Sequence, residues 1–84
     1  MPVSLYEEQY NALRALLKSL RLQAKLTQVQ MAEALGLGQS YISKLERGEN
    51  FVDVLLFARW CDACGLQPGK VLHKFLNPPP PADR

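Results

Sequence analysis

The sequence predicts an all-α fold, and two observations carry this prediction. Residues 28–47 divide at a glycine turn into two short segments, and each has the periodicity of a helix. Apolar residues also recur at helical spacing, or run almost unbroken, in three further segments on either side of this pair. The five predicted helices span residues 5–24, 28–35, 39–46, 53–64 and 67–76.

The length and composition of the chain indicate a single domain. With 84 residues and 48% hydrophobic content, the chain can build one small core and is too short for two. We expect a domain over residues 1–76 and a proline-rich tail over 77–84, because a run of prolines cannot continue a helix. The first ten residues are polar and acidic, and no apolar run approaches the ~20 residues of a membrane span. The expected location is therefore cytoplasmic.

Two stripes of side chains run along the first predicted helix, which Ser4 is expected to cap with Glu7 as its capping-box partner. The core-facing stripe comprises Leu13, Leu16, Leu17, Leu20 and Ala24, and the basic stripe comprises Arg14, Lys18, Arg21 and Lys25. Basic residues three and four positions apart are neighbours on a helix and can follow a phosphate backbone. For Arg14 and Lys18, an ordinary solvated face explains the pattern equally well.

A tight turn joins the second and third predicted helices. Thr27 can cap the second helix with its hydroxyl, Ala32 allows another helix to cross closely, and Gly36 can adopt the positive φ that ends a helix. The inward side chains are expected to be Val29, Ala32 and Leu35, with Met31 beside them, and then Ile42 and Leu45. The outward side chains are expected to be Gln39, Ser40, Ser43, Lys44 and Arg47. This ordered set favours a helix-turn-helix over an ordinary helical hairpin.

The fourth predicted helix is apolar almost all round and is therefore expected to be largely buried, with Asp53 as its N-cap. Gly65 ends it, and Pro68 lies in the first turn of the fifth helix. The side chains expected to complete the core from the fifth helix are Val71, Leu72 and Phe75. The apolar residues left over are Phe51, Val52, Trp60 and Leu76, and they could cover a partner subunit, join the core or lie scattered on the surface.

The sequence indicates neither a metal site nor an enzyme. Cys61 and Cys64 form a Cys-x-x-Cys pair inside a helical segment, whereas a redox pair is expected at a strand-to-helix turn. A zinc site needs about four ligands, and His73 is the only histidine. We interpret the cysteines as two half-buried helix thiols and expect no cofactor. No nucleophile–base pair and no glycine-rich phosphate loop is visible either.

Three motifs carry a resemblance to a known family. The segments LTQ at 26–28, AEALG at 32–36 and QSYISKLERG at 39–48 resemble the Cro/C1-type (XRE, lambda repressor-like) helix-turn-helix family, and the similarity covers roughly residues 10–76. The resemblance implies a compact five-helix domain whose third helix enters the major groove of double-stranded DNA. It also implies a DNA-binding transcription regulator.

The outward residues of the third helix are the candidates for reading bases. The side-chain amide of Gln39 can donate and accept together, which suits the N6 and N7 edge of adenine. Ser40, Ser43 and Lys44 project toward the same side of the helix. Lys44 could contact guanine O6 and N7 or simply a phosphate. For Tyr41, core packing, a phosphate hydrogen bond and contact with a thymine methyl group all remain open.

Further roles come from the resemblance and from the charge distribution. The resemblance implies that Gln28 holds a DNA phosphate while touching Gln39, and that Arg21 forms a structural ion pair with Glu46. A helix N-terminus favours anions, which gives the phosphate role a physical basis. Residues 14–47 carry six Lys and Arg against two Glu, or +4, whereas the whole chain carries +2. The predicted phosphate contacts are Gln28, Tyr41, Arg47, Arg14 and Lys18.

The loop after the third helix departs from the basic pattern common in the family, because Glu49 and Asp53 place negative charge there. A single module of this size offers a small interface, so we expect a homodimer that represses by occupying two half-sites ~34 Å apart. The alternative is a protein-binding module, for example an antitoxin. The apolar fourth helix, the acidic loop and the proline tail motivate it.

Overall fold

The computed structural model describes residues 5–79, and the all-α prediction is confirmed. Its five helices are α1 (Leu5–Gln23), α2 (Gln28–Leu35), α3 (Gln39–Glu46), α4 (Val54–Ala63) and α5 (Pro68–Leu76). Each begins and ends within one residue of its predicted position. The cap predicted at Ser4 and the last five residues of the tail lie outside the described residues. None of the described helices is long and apolar enough to cross a membrane.

Local signals in the sequence set the helix ends. The Thr27 hydroxyl accepts from the Gln30 backbone N–H at 3.0 Å, and the Gln30 side chain accepts from the Thr27 N–H at 2.9 Å, which completes a capping box. Gly36 adopts φ +72° at the end of α2. The Asp53 carboxylate accepts from the Leu56 N–H at 2.8 Å at the start of α4. The caps predicted at Thr27 and Asp53 and the turn at Gly36 are therefore confirmed.

The hydrophobic core lies between α1, α2, α3 and α4. Its buried apolar residues are Leu17, Leu20, Met31, Ala32, Leu35, Ile42, Leu45, Phe57, Trp60 and Cys61. The indole N–H of Trp60 donates to the Leu17 carbonyl at 2.9 Å, so the largest buried side chain also satisfies its polar group. Trp60 is 0% exposed, so of the three alternatives left open for it, the core position is the one the structure shows.

Three predictions of burial were wrong. Val29 is 52% exposed because α2 buries the face that carries Met31 and Leu35, which lies on a different side of the helix. The first turn of α4 is open, with Val54 and Leu55 exposed by 78% and 74%, because only the face of α4 with Phe57, Trp60 and Cys61 is covered.

Within α5, no side chain is fully buried, and Leu72 is 40% exposed instead of completing the core. This helix packs against α4 at the margin of the domain, so only one side of it meets other residues. Val71 packs partly against the core, and Phe75 is half-buried.

Candidate nucleic-acid interface

The outward face of α3 presents a row of polar side chains to solvent. Ile42 and Leu45 are 0% exposed and anchor the opposite face of α3 to the core. Helical geometry then places Gln39, Ser40, Ser43 and Lys44 together on the outer side, where Ser43 is half-buried and the others are exposed. Gly38 precedes α3, and among the described residues no side chain makes a capping hydrogen bond to its first turn. This leaves the positive end of the α3 dipole uncovered by side-chain caps.

Tyr41 lies to one side of this row. Its side chain is 37% exposed, and it borders a shallow depression together with Leu37, Asp53 and Leu55. Core packing is therefore excluded as its main role, because a core tyrosine would be covered. The phosphate and thymine alternatives both need an accessible side chain, and Tyr41 has one.

A buried ion pair joins α1 to the end of α3, as the resemblance implies. Arg21 Nε donates to Glu46 Oε2 at 2.6 Å, and Arg21 Nη2 donates to Glu46 Oε1 at 3.1 Å. The two side chains are only 7% and 4% exposed. Arg21 Nη1 also donates to the Leu26 carbonyl at 2.8 Å, so the guanidinium is bonded on several sides. This pair fixes the orientation of α3 against α1.

Gln28 connects the ion pair to the outer face of α3. Its side-chain Nε2 donates to Glu46 Oε1 at 3.1 Å, and its Oε1 accepts from Gln39 Nε2 at 2.8 Å. A continuous chain of hydrogen bonds thus runs from Arg21 through Glu46 and Gln28 to Gln39. The contact between Gln28 and Gln39 was expected from the resemblance, whereas the bond between Gln28 and Glu46 was not.

Arg47 is held at the end of α3 by two neighbours, Ser43 and Glu49, and no pattern in the sequence indicates these contacts. Its Nη1 donates to Ser43 Oγ at 2.6 Å, and its Nε donates to Glu49 Oε2 at 3.0 Å. The hydrogen bond and the charge of Glu49 raise the pKa of Arg47, and Arg47 lowers the pKa of Glu49 in the same way. Both side chains are more than half exposed, so the pair is open to exchange with another anion.

The two basic residues of α1 differ in their surroundings. The Arg14 guanidinium lies over the Tyr10 ring at 5.0 Å from its centroid and donates to Asn11. It also packs against Gly48, where an added Cβ would lie 2.7 Å from the guanidinium. Lys18 is exposed to solvent. Arg14 thus supports the loop after α3, a long-range contact that no pattern in the sequence indicated.

The cysteines lie away from this face. Both are free thiols, and the half-buried position expected of them is found for Cys64 but was wrong for Cys61, which is 0% exposed because it lies on the covered face of α4. Burial raises the pKa of Cys61 to about 11, and the neighbouring charges of Cys64 and Asp62 act in the same direction. Burial also raises the pKa of Cys64. Within residues 5–79 no cluster of three or more His, Cys, Asp and Glu side chains is arranged to hold a metal ion.

The five-helix architecture and the exposed polar face of α3 define an XRE-type helix-turn-helix protein of the DNA-binding regulator class. A family model described as a helix-turn-helix domain matches residues 12–73, and the chain belongs to this family. The resemblance found in the sequence is therefore confirmed.

Comparison with solved structures supports the same assignment. An XRE-family like protein from Pseudomonas syringae pv. tomato str. DC3000 is 36% identical, with a TM-score of 0.83 over 90% of this chain and 93% of that one. Two structures of the clp gene regulator ClgR from Corynebacterium glutamicum are 35% identical, with TM-scores of 0.72 and 0.71. They cover 89% of this chain, and 77% and 92% of their own. A comparison with curated proteins gave no match.

Proposed function

We propose that this protein is a sequence-specific transcription regulator that represses by occupying a short pseudo-palindromic operator as a homodimer. The observation that carries the proposal is the outer face of α3, where Gln39 is exposed yet held by Gln28 at 2.8 Å. A polar side chain that is both accessible and oriented is suited to reading a base edge in the major groove.

The base-reading residues in this proposal are Gln39, Ser40, Ser43 and Lys44. Gln39 keeps its carbonyl oxygen and one N–H for adenine, because its other N–H is directed to Gln28. The Ser43 hydroxyl accepts from Arg47 and still has its own proton to donate. Lys44 carries an exposed ammonium that suits either guanine or a phosphate.

The phosphate contacts in this proposal flank the reading face. Gln28 lies at the N-terminus of α2, where the helix dipole favours an anion. Arg47 would exchange Glu49 for a phosphate, because a solvent-exposed pair contributes little stability. Tyr41 and Lys18 offer accessible polar groups, and Arg14 would contact a phosphate from beside the loop that it supports.

The homodimer in this proposal uses an apolar groove between α1, α4 and α5. Its lining residues include Tyr10, Leu13, Val54, Leu72, Phe75 and Leu76. Val54 and Leu76 are exposed by 78% and 57%, and Phe51 stacks on Tyr10 with ring centroids 5.5 Å apart while remaining 78% exposed. Such an apolar surface is typical of a region covered by a partner.

The test is binding of the purified protein to DNA from upstream of its own gene, compared with a scrambled duplex over a salt series. We expect specific binding whose affinity falls steeply with salt, and we expect Gln39→Ala to lose the specificity. Gln67→Ala is the matched control, because Gln67 is an exposed residue that makes no capping bond to α5. Equal effects of the two substitutions would contradict the reading role of Gln39.

The same apolar surface favours a second candidate, a protein-binding module such as an antitoxin. This alternative predicts that the wild-type protein ignores its upstream DNA and a randomised duplex library. It also predicts a stable complex with the product of an adjacent gene.

A further inference from the structure

We infer that Glu46 is a positioning residue that determines which atoms of the Gln39 amide face the DNA, an inference that rests on the proposed function. Glu46 ends α3 and Gln39 begins it, so their backbones lie about 10 Å apart along the helix. The Glu46 side chain is only 4% exposed. It would therefore act on base reading through Gln28, without touching a base.

The Glu46 carboxylate fixes the direction of the hydrogen bonds around it. A carboxylate has no proton to donate, so every group that faces it must be a donor. Arg21 donates to both of its oxygens, and Gln28 approaches Oε1 at 3.1 Å. The Gln28 atom at this position must therefore be Nε2, and Gln28 cannot reverse its amide without placing two acceptors against each other.

Gln28 passes this hydrogen-bond direction on to Gln39. With its Nε2 directed to Glu46, Gln28 turns Oε1 toward Gln39, which must then donate from its own Nε2. Gln39 is left with a carbonyl oxygen and one N–H, the pair that complements adenine N6 and N7. A reversed amide would direct its oxygen toward Gln28 and present two N–H groups outward, which fits the N7 and O6 acceptors of guanine.

The direction of these hydrogen bonds predicts coupling between positions 39 and 46 in the protein without DNA. Gln39→Glu places a carboxylate against Gln28 Oε1, and Glu46 prevents Gln28 from reversing. In a Glu46→Gln background the new amide can donate to Gln28, which then reverses and donates to the carboxylate at position 39. We expect Gln39→Glu to lower the folding equilibrium constant by a factor that is about tenfold smaller in this background. This difference corresponds to a coupling free energy of about 1.4 kcal/mol between positions 39 and 46. Urea unfolding of the four proteins measures it.

Ser40→Glu provides the matched control for this cycle. Ser40 lies in the same turn of α3, is exposed, and is outside the hydrogen-bond chain. A carboxylate at position 40 experiences the same helix dipole and lies at nearly the same distance from Glu46 as one at position 39. The effects of Ser40→Glu and Glu46→Gln on the folding equilibrium constant should therefore be additive within about twofold. Equal coupling at positions 39 and 40 would overturn the inference, because it would report only a through-space charge effect.

A second variant keeps the test valid if Glu46→Gln does not fold. Gln28→Met retains the length of the side chain and removes both of its hydrogen-bonding groups. In this background Gln39→Glu should again lose most of its penalty, and an unchanged penalty would overturn the inference.

Binding to DNA tests the consequence for specificity. The wild-type protein should prefer adenine over guanine at the base pair read by Gln39, and Gln28→Met should reduce this preference by about tenfold. Loss of the Gln28 phosphate contact lowers affinity for both duplexes equally and leaves the ratio unchanged. If the stability effects at positions 39 and 46 are additive and operator binding is intact, the inference about Glu46 is overturned and the proposed function stands. If the stability effects are coupled but the protein binds no DNA, the proposed function and the reading role of Gln39 are overturned. Only the direction of the hydrogen bonds from Glu46 through Gln28 to Gln39 is then supported.

Discussion

Arg21 and Glu46 show at the scale of single residues how a charged pair is retained inside a small domain. Removing charge from water is costly unless the charge is paired and its polar atoms are bonded. Arg21 meets this condition through two bonds to Glu46 and one to the Leu26 carbonyl. No buried side-chain nitrogen or oxygen among the described residues lacks a partner. The pair therefore specifies the position of α3 while each guanidinium nitrogen of Arg21 and each carboxylate oxygen of Glu46 has a hydrogen-bond partner.

Removing one member of this pair should destabilise the domain more than removing both. Arg21→Met leaves a carboxylate buried without its counter-ion, and we expect the free energy of unfolding to fall by ~3–5 kcal/mol. Arg21→Met with Glu46→Leu removes the stranded charge and should recover part of this loss. Chemical denaturation followed by circular dichroism measures both. A double variant less stable than the single variant would contradict this account.

Cys61 should make the domain less stable in alkaline solution. Its pKa rises in the folded state from 9.0 to about 11, because burial favours the neutral thiol. The stabilisation is therefore fully present below pH 9.0 and is lost as the pH rises through about 11. Unfolding measured between these pH values should show a decline in stability that Cys61→Ala reduces. An identical pH dependence in the two proteins would contradict the assignment.

The helices themselves show which features a sequence can predict. Helix ends at Thr27, Gly36 and Asp53 depend on residues within one turn, so the sequence contains the whole signal. The exposure of Val29 and Val54 depends on which face of α2 and of α4 the neighbouring helices cover, and periodicity alone does not specify that face.

The candidate site likewise combines features set by local sequence with features set by packing. The outward row of α3 follows from helical periodicity, so it could be predicted from the sequence. The contact of Arg14 with Gly48 and the bond from Gln28 to Glu46 join distant parts of the chain. These contacts exist only after the helices have packed, and neither periodicity nor the family resemblance indicated them.

Two glycines in different helical positions should respond oppositely to alanine. Gly36 has φ +72° at the end of α2, and Gly69 lies within α5; neither has another atom within 4 Å of an added Cβ. Gly36→Ala should destabilise the domain by ~1–2 kcal/mol, because an L side chain disfavours this backbone conformation. Gly69→Ala should stabilise it by up to ~1 kcal/mol, because alanine favours a helix. Thermal unfolding of the two variants would refute this account if both shifts had the same sign.

The dimensions of the whole molecule are compatible with paired half-sites. Its principal extents are 42 × 33 × 23 Å. Two copies side by side can therefore place their α3 helices about one molecular width apart, close to the ~34 Å that separates half-sites one turn apart. This arrangement requires a contact between copies that leaves both α3 faces open, and the proposal assigns that contact to the apolar groove between α1, α4 and α5.

Leu76→Gln should weaken the proposed homodimer without changing recognition of one half-site. Leu76 is 57% exposed and lines the groove, so a polar side chain there would have to be desolvated on association. Leu22→Gln is the matched control, because Leu22 is 56% exposed on α1 and does not line the groove. We expect Leu76→Gln to lower affinity for a two-half-site operator by about tenfold or more, with affinity for an isolated half-site unchanged. Sedimentation should show a corresponding shift toward monomer for Leu76→Gln. If this variant stays dimeric and binds both duplexes as the wild type does, the interface lies elsewhere.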